Sequence, residues 1–170
     1  MKNIKLKLKV KILACSLVPL ILVILLSVLS LRRTGLSMAN TLVEEHLSTA
    51  NYAVRELLDS VYPGEFRLEG DQIYKGEMNL TESMGKLDAF LNETGVQITI
   101  FADGVRRATS IVDASGQRIV NTPIAEDAHK AVQKSGSFFS DHASVRGLNY
   151  YGVYRGDGNT SGGEEIIIFT

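Results

Sequence analysis

The side chains best suited to chemistry lie in the stretch 96-VQITIFADGVRRATSIV-112. It reads as a hairpin, two apolar strands folded back around Ala-Asp-Gly, with Arg106 and Arg107 adjacent in the second strand. An arginine inside an apolar sheet has to meet an anion, because an unpaired buried charge costs several kcal/mol. The planar guanidinium suits a carboxylate, which it grips through two parallel hydrogen bonds. In an alternating strand the two arginines face opposite sides, so at most one enters a pocket on a given face unless a bulge intervenes. Thr109 follows Arg106 by three residues, Arg118 lies nine beyond Thr109, and Tyr150, Tyr151 and Tyr154 offer hydroxyl donors and an apolar wall. The pattern leaves a second reading open, in which both arginines are solvated charges at a sheet edge.

Catalytic and metal-binding patterns are thin. His46, His129 and His142 are far apart, have no partner at ligand spacing and read as surface residues. Ser83-Met84-Gly85-Lys86 matches a Ser-x-x-Lys string but lacks the companion motifs that give such a string meaning. Asp157, Asn159 and Glu164 offer oxygen ligands at a spacing that does not fit a calcium loop. Asn-x-Ser/Thr sequons at Asn79, Asn92 and Asn159 would matter only in a eukaryotic secretory protein. The expectation is a binding protein, not an enzyme, with no cofactor and no metal.

These residues sit in a chain of 170 residues with a net charge of −1. The average hides an asymmetry: residues 1–33 contain seven Lys/Arg and no acid, whereas all nineteen Asp/Glu lie beyond them. A short basic head tied to an apolar run does not suggest nucleic-acid binding. Cys15 is the one cysteine, so no internal disulfide is possible.

Ile12 to Leu31 is an uncharged run of 20 residues, about 30 Å of helix and the thickness of a bilayer core. Lys2, Lys5, Lys7, Lys9 and Lys11 precede it and Arg32-Arg33 follow. The heavier positive flank predicts residues 1–11 in the cytoplasm, a transmembrane helix over 12–31 and the body outside the cytoplasmic membrane. A membrane helix tolerates Pro19 with a modest kink. The alternative is a signal peptide cleaved near Ser30, although its apolar region is usually only about 7–15 residues long. The product would then be a secreted or periplasmic small-molecule-binding protein.

A long amphipathic helix is expected over 34–61. Val43, Leu47, Ala50, Val54, Leu57 and Val61 recur in steps of four and three, a heptad-like stripe. It serves either a homodimer through the 36–61 helix or packing on the chain's own sheet. Tyr62-Pro63-Gly64 stops it. GEFRLEG and DQIYKGE read as a hairpin, Thr81 to Asn92 as a helix capped by Thr81, and Gln117–Val120 as a strand. A second helix is expected from Ile124 to Gln133. Strands follow at Asn149–Tyr154 and Glu164–Phe169, joined by a loop at 156-GDGNTSGG-163. The class is α+β, with about five antiparallel strands, a long N-terminal helix and two inserted helices.

In order, these pieces resemble a single Cache domain of bacterial methyl-accepting chemotaxis receptors. The resemblance is carried by Tyr62-Pro63-Gly64, 73-IYKGE-77, an apolar helix holding Asp88, 98-ITIF-101, Arg106 with 108-AT-109, Gly116-x-Arg118, Thr122, Ser135-Gly136 and 150-YYGVY-154. It implies a PAS-like antiparallel sheet over 62–170, outside the membrane, with a long helix behind it. Such domains bind organic acids or amino acids and signal through the membrane. By position the resemblance offers Phe101, Arg106, Thr109, Arg118 and Tyr151 as ligand-binding residues, whereas Arg107 falls where the family usually has an apolar residue. It also implies a chemoreceptor, or a sensor histidine kinase that shares the input domain. Two departures stand out. Arg155-Gly156-Asp157 replaces a proline region, and the last strand reads as cut short at Thr170, with no second span or signalling hairpin. The expectation is therefore the C-terminally incomplete front end of a receptor, with an open sheet edge at that strand.

Overall fold

A computed structural model describes residues 2–170; the side chains at 2–10, 12, 14, 16 and 36 lie outside what is described, and with them most of the expected basic flank. The chain divides into two compact units, Met1–Leu42 and Val43–Thr170. Helix α1 is Lys2–Val61 and contains Pro19. Its segment Leu17–Val61 is long and apolar enough to cross a membrane by length and composition. In the first unit the side chains from Leu20 to Leu26 are exposed.

The second unit holds eight strands in two antiparallel sheets. β1 (Phe66–Glu69), β2 (Gln72–Lys75) and β3 (Met78–Asn79) form a small sheet in that order. Helix α2 (Gly85–Thr94) leads to β4 (Thr99–Ala102) and β5 (Val105–Thr109). Helix α3 (Glu126–Ser135) precedes β6 (Ser137–Val145), β7 (Leu148–Asn159) and β8 (Glu165–Phe169). The larger sheet runs β5-β4-β8-β7-β6.

The apolar runs IFA of β4 and IIIF of β8 have a simple cause: both faces of the sheet are covered. On one face Ile100, Ile166 and Ile168 pack with Val54 and Leu58 of α1, Leu87 of α2 and Ile73 of the small sheet. On the other, Phe101, Ile167 and Phe169 pack with Ala128 and Val132 of α3, Ile111, Ile119, Val145 and Tyr154. Of the expected α1 stripe, Ala50 and Val54 are buried and Leu57 packs on the first cluster, so here the stripe serves the chain's own sheet. Leu58 continues the buried face, and Val61 is exposed.

Several expectations need correction. β8, read as leaving an open edge, is the central strand; β4 pairs along one side of it and β7 along the other, so the edges are β5 and β6. α2 begins four residues late, because Thr81 turns back to accept a hydrogen bond from the Ile73 amide (2.9 Å) and does not cap the helix. Gln117–Val120 is no strand; a single bridge joins Val112 to Arg118. β6 was not anticipated, and Gly156–Asn159 of the expected loop belongs to β7. The stop expected at Tyr62-Pro63-Gly64 is observed. α1 ends at Val61, and Gly95 and Gly136 close α2 and α3 with left-handed backbones.

Candidate functional site

Asp103 (φ 49°) and Gly104 (φ 71°) make the tight turn between β4 and β5, as Asp-Gly does in hairpins that match the strands' twist. The pairing then slips by one residue. Ile100 faces Ala108 and Phe101 faces Arg106, which leaves Arg107 as the extra residue of a bulge. Thr99 faces Thr109. Thr99 and Phe101 lie two apart on β4 and share a face, so their partners Thr109 and Arg106 share it too. Arg107 turns to Asp71 (2.5 Å) and Asn121 (3.1 Å).

Arg106 is 6% exposed, and its guanidinium carbon stands 5.4 Å from the centre of the Phe101 ring. Its Nε and Nη1 are buried and have no hydrogen-bond partner among the described residues. No carboxylate among those residues pairs with it. Burial pulls its pKa down, and nearby Tyr154 and Tyr150 oppose that pull. Its backbone is clamped on the outer edge of β5: the Arg106 amide donates to the Thr122 carbonyl (2.9 Å) and the Asn121 amide to the Arg106 carbonyl (2.8 Å). The Thr122 hydroxyl is also buried without a partner.

Tyr154 forms the wall opposite. Its ring packs against Phe169 at 4.7 Å and against Phe101 and Phe138 at 6.2 Å each. Burial raises its pKa, and the charge of Arg106 opposes the rise. Tyr150, Gly152 and Tyr154 share this face of β7. Gly152 is required, because a Cβ there would fall inside the Phe169 ring. Ile111, Ile119 and Val145 of the same cluster also line an open cleft of about 480 Å³ between the 111–119 segment and the β6–β7 turn. Asp113 and Arg146 stand in that cleft, 4.0 Å apart. Ser115 and the Gln117 amide donate to Asp113 and hold its carboxyl below the usual aspartate range.

A buried, unpaired arginine in an aromatic-walled sheet face fits the sensor reading, and the family comparison decides the lineage. Residues 77–167, more than half of the chain, match the family model of single Cache domain 3. The chain belongs to the single Cache domain family. No curated protein and no solved structure matches it. Cache domains sense small molecules outside the cell in signalling proteins.

Within this Cache domain the expected site residues separate. Phe101 and Arg106 come together. Thr109 shares their face but is already bonded, to the Thr99 hydroxyl (2.7 Å) and from the Ile111 amide (3.1 Å). Arg118 lies apart: it donates to the Thr109 carbonyl (2.8 Å) and pairs with Asp88 of α2 (2.6 Å). Tyr151 is 51% exposed on the other face of β7, stacked on Phe139 at 6.4 Å. Tyr154 is the tyrosine that meets Arg106. The sequence signal for it was present but silent without the register: Tyr154 has the parity of Gly152, the residue under the Phe169 ring.

The Cache domain also carries a polar cleft of about 310 Å³ beside the end of α1, lined by Arg55, Asp59, Lys75 and Asp157 among others. Buried Lys75 pairs with Asp59 (2.7 Å) and donates to the Gly64 carbonyl (2.6 Å). Asp157 pairs with Arg55; its burial raises its pKa against the pull of that arginine. Arg155 lies over the Tyr52 ring (4.3 Å) and donates to its hydroxyl (2.7 Å). Asn51 donates to the Ile168 carbonyl at 2.9 Å. These contacts bind α1 to β7 and β8. Of the histidines, His46 and His142 are exposed, and His129 contacts Glu165 at 2.7 Å. No metal-holding group of three His, Cys, Asp or Glu occurs among the described residues.

Proposed function

We propose that this chain is the ligand-sensing portion of a membrane chemoreceptor, and that its Cache domain holds the carboxylate of a small organic acid or amino acid on Arg106. The observation that carries the reading is the guanidinium itself, 6% exposed, with two nitrogens, Nε and Nη1, that no acceptor among the described residues meets. A fold keeps such a group at a cost of several kcal/mol unless an anion joins it. Phe101 supports the cation from below and Tyr154 stands across from it.

The apolar stretch 12–31 anchors the chain in the cytoplasmic membrane, with the basic N-terminus inside and the sensor outside. The role is binding and transmission, not catalysis. A homodimer through the 36–61 helix has exposed apolar side chains of α1 to use, Met38 and Leu42 among them. An apolar helix close to the N-terminus also suits a cleaved signal sequence, and mass spectrometry of the mature N-terminus separates that secreted form from an anchored receptor. Thermal-shift screening of the full chain against organic acids and amino acids tests the site. Arg106→Ala is expected to abolish every carboxylate-induced shift and keep the folded spectrum; an unchanged shift sinks the assignment.

A further inference from the structure

The turn between β6 and β7 carries a residue that the turn itself does not ask for. Arg146 (φ 47°) and Gly147 (φ 82°) join Val145 to Leu148 in a two-residue hairpin, a geometry that favours Asn-Gly or Asp-Gly. The other non-glycine residues with left-handed backbones among the described residues are Asp103 and Asn121, types that tolerate it. Arg146 instead reaches over the open cleft towards Asp113, 4.0 Å away, the outer limit of an ion pair. Ser115 and the Gln117 amide donate to Asp113 Oδ1 and keep the carboxyl charged, while Oδ2 faces Arg146. Beside this half-made pair Leu148 is 61% exposed, more than any other large apolar side chain of the second unit, and Val112 is 48% exposed. Ile111, Ile119 and Val145 make the hollow between them.

One patch thus holds an apolar knob, an apolar hollow and one charge of each sign, and a two-fold rotation makes such a surface complementary to itself. A small ligand needs most of its surface buried, which an open cleft with outward-pointing apolar rims does not provide. We propose that this cleft is a contact between two copies of the chain, in which Leu148 of each copy enters the other's hollow and Arg146 of each meets Asp113 of the other. This contact is independent of Arg106 and of the 36–61 helix. The hollow belongs to the apolar cluster on the α3 face of the sheet, whereas Val54 and Leu58 of α1 pack on the opposite face. Both contacts can therefore form at once and link pairs of chains into larger groups. A contact between loop ends is of the weak, transient kind, and confinement to one membrane raises its effective concentration.

The test is sedimentation velocity of the full chain in detergent micelles over rising protein concentration. The wild type is expected to double in mass through this contact, on top of any pairing through α1. Leu148→Asp should weaken that doubling at least about tenfold, because the symmetric contact loses two leucines and gains two buried charges. Arg146→Asp suits the left-handed turn better than arginine does, and Asp113→Asn keeps the acceptor for Ser115 and Gln117, so neither threatens folding. Each should weaken the doubling about fivefold or more, since two ion pairs are lost at once. High salt should weaken it in the wild type, and Arg106→Ala should leave it unchanged. If the wild type shows no doubling, or if either Leu148→Asp or Arg146→Asp doubles as the wild type does, the proposal is overturned. If doubling is absent and free leucine raises the melting temperature of the wild type but not of Arg146→Asp, the cleft holds a small zwitterion in place of a second copy.

Discussion

Arg106 and Thr109 project from the same face of β5 although they lie three positions apart, because the bulge at Arg107 inserts one residue between their pairings with Phe101 and Thr99. Regular alternation would place them on opposite faces. The bulge brings the guanidinium over the Phe101 ring and sends Arg107 out to Asp71 and Asn121. Two adjacent, chemically identical residues thus stand in different environments.

Arg106→Met should stabilise the domain by about 1 kcal/mol or more, since an unpaired buried charge gives way to an apolar chain of similar length. Carboxylate binding should be lost at the same time. Arg107→Ala should act the other way, costing about 1 kcal/mol from an ion pair whose arginine is largely covered and whose Asp71 is exposed, and leaving binding intact. Urea denaturation and calorimetry on both variants check this; a destabilised Arg106→Met would show that the guanidinium is already satisfied within the fold.

Gly152→Ala should cost about 1–3 kcal/mol, because the new methyl has to displace the Phe169 ring that packs on Tyr154. Binding should weaken along with stability, since Tyr154 moves with that ring. Near-ultraviolet circular dichroism should report the altered tyrosine packing.

Arg118 and Asp88 tie the 112–118 segment to α2, half-shielded from solvent. Removing either partner should cost about 1–2 kcal/mol, the range of a hydrogen bond to a charged group after some solvent screening. A double-mutant cycle should return most of that as coupling energy. Ligand preference should stay as in the wild type, in contrast to Arg106.

Asp157 has a folded-state pKa raised by burial, so its charged form is the disfavoured one. The sign follows from linkage: an acid with a raised pKa adds stability that is fully present below its unfolded pKa and lost as pH rises through the folded value. Asp157→Asn should therefore match or exceed the wild type in thermal stability at neutral pH. That advantage should shrink as pH falls into the ordinary aspartate range. Melting curves between neutral and acid pH decide it; an advantage that grows on acidification would contradict the burial.

Much of this protein could be read directly from its residues. The bilayer-length run at 12–31, the Tyr62-Pro63-Gly64 stop, the Asp103-Gly104 turn and the glycine ends of both short helices are local statements of hydropathy and backbone preference, and each is legible within a few residues. So was the order of pieces that marks a Cache domain. β6 escaped because Asp141 and His142 interrupt its apolar positions where its pairing with β7 slips. The choice of Tyr154 over Tyr151, the pairing of Arg118 with Asp88 thirty residues away, and the central place of β8 depend on which strands meet and in what register. Register is a contact between segments distant in sequence. A single slipped residue reverses every face beyond it, so only the assembled sheet decides which side chains look into the site.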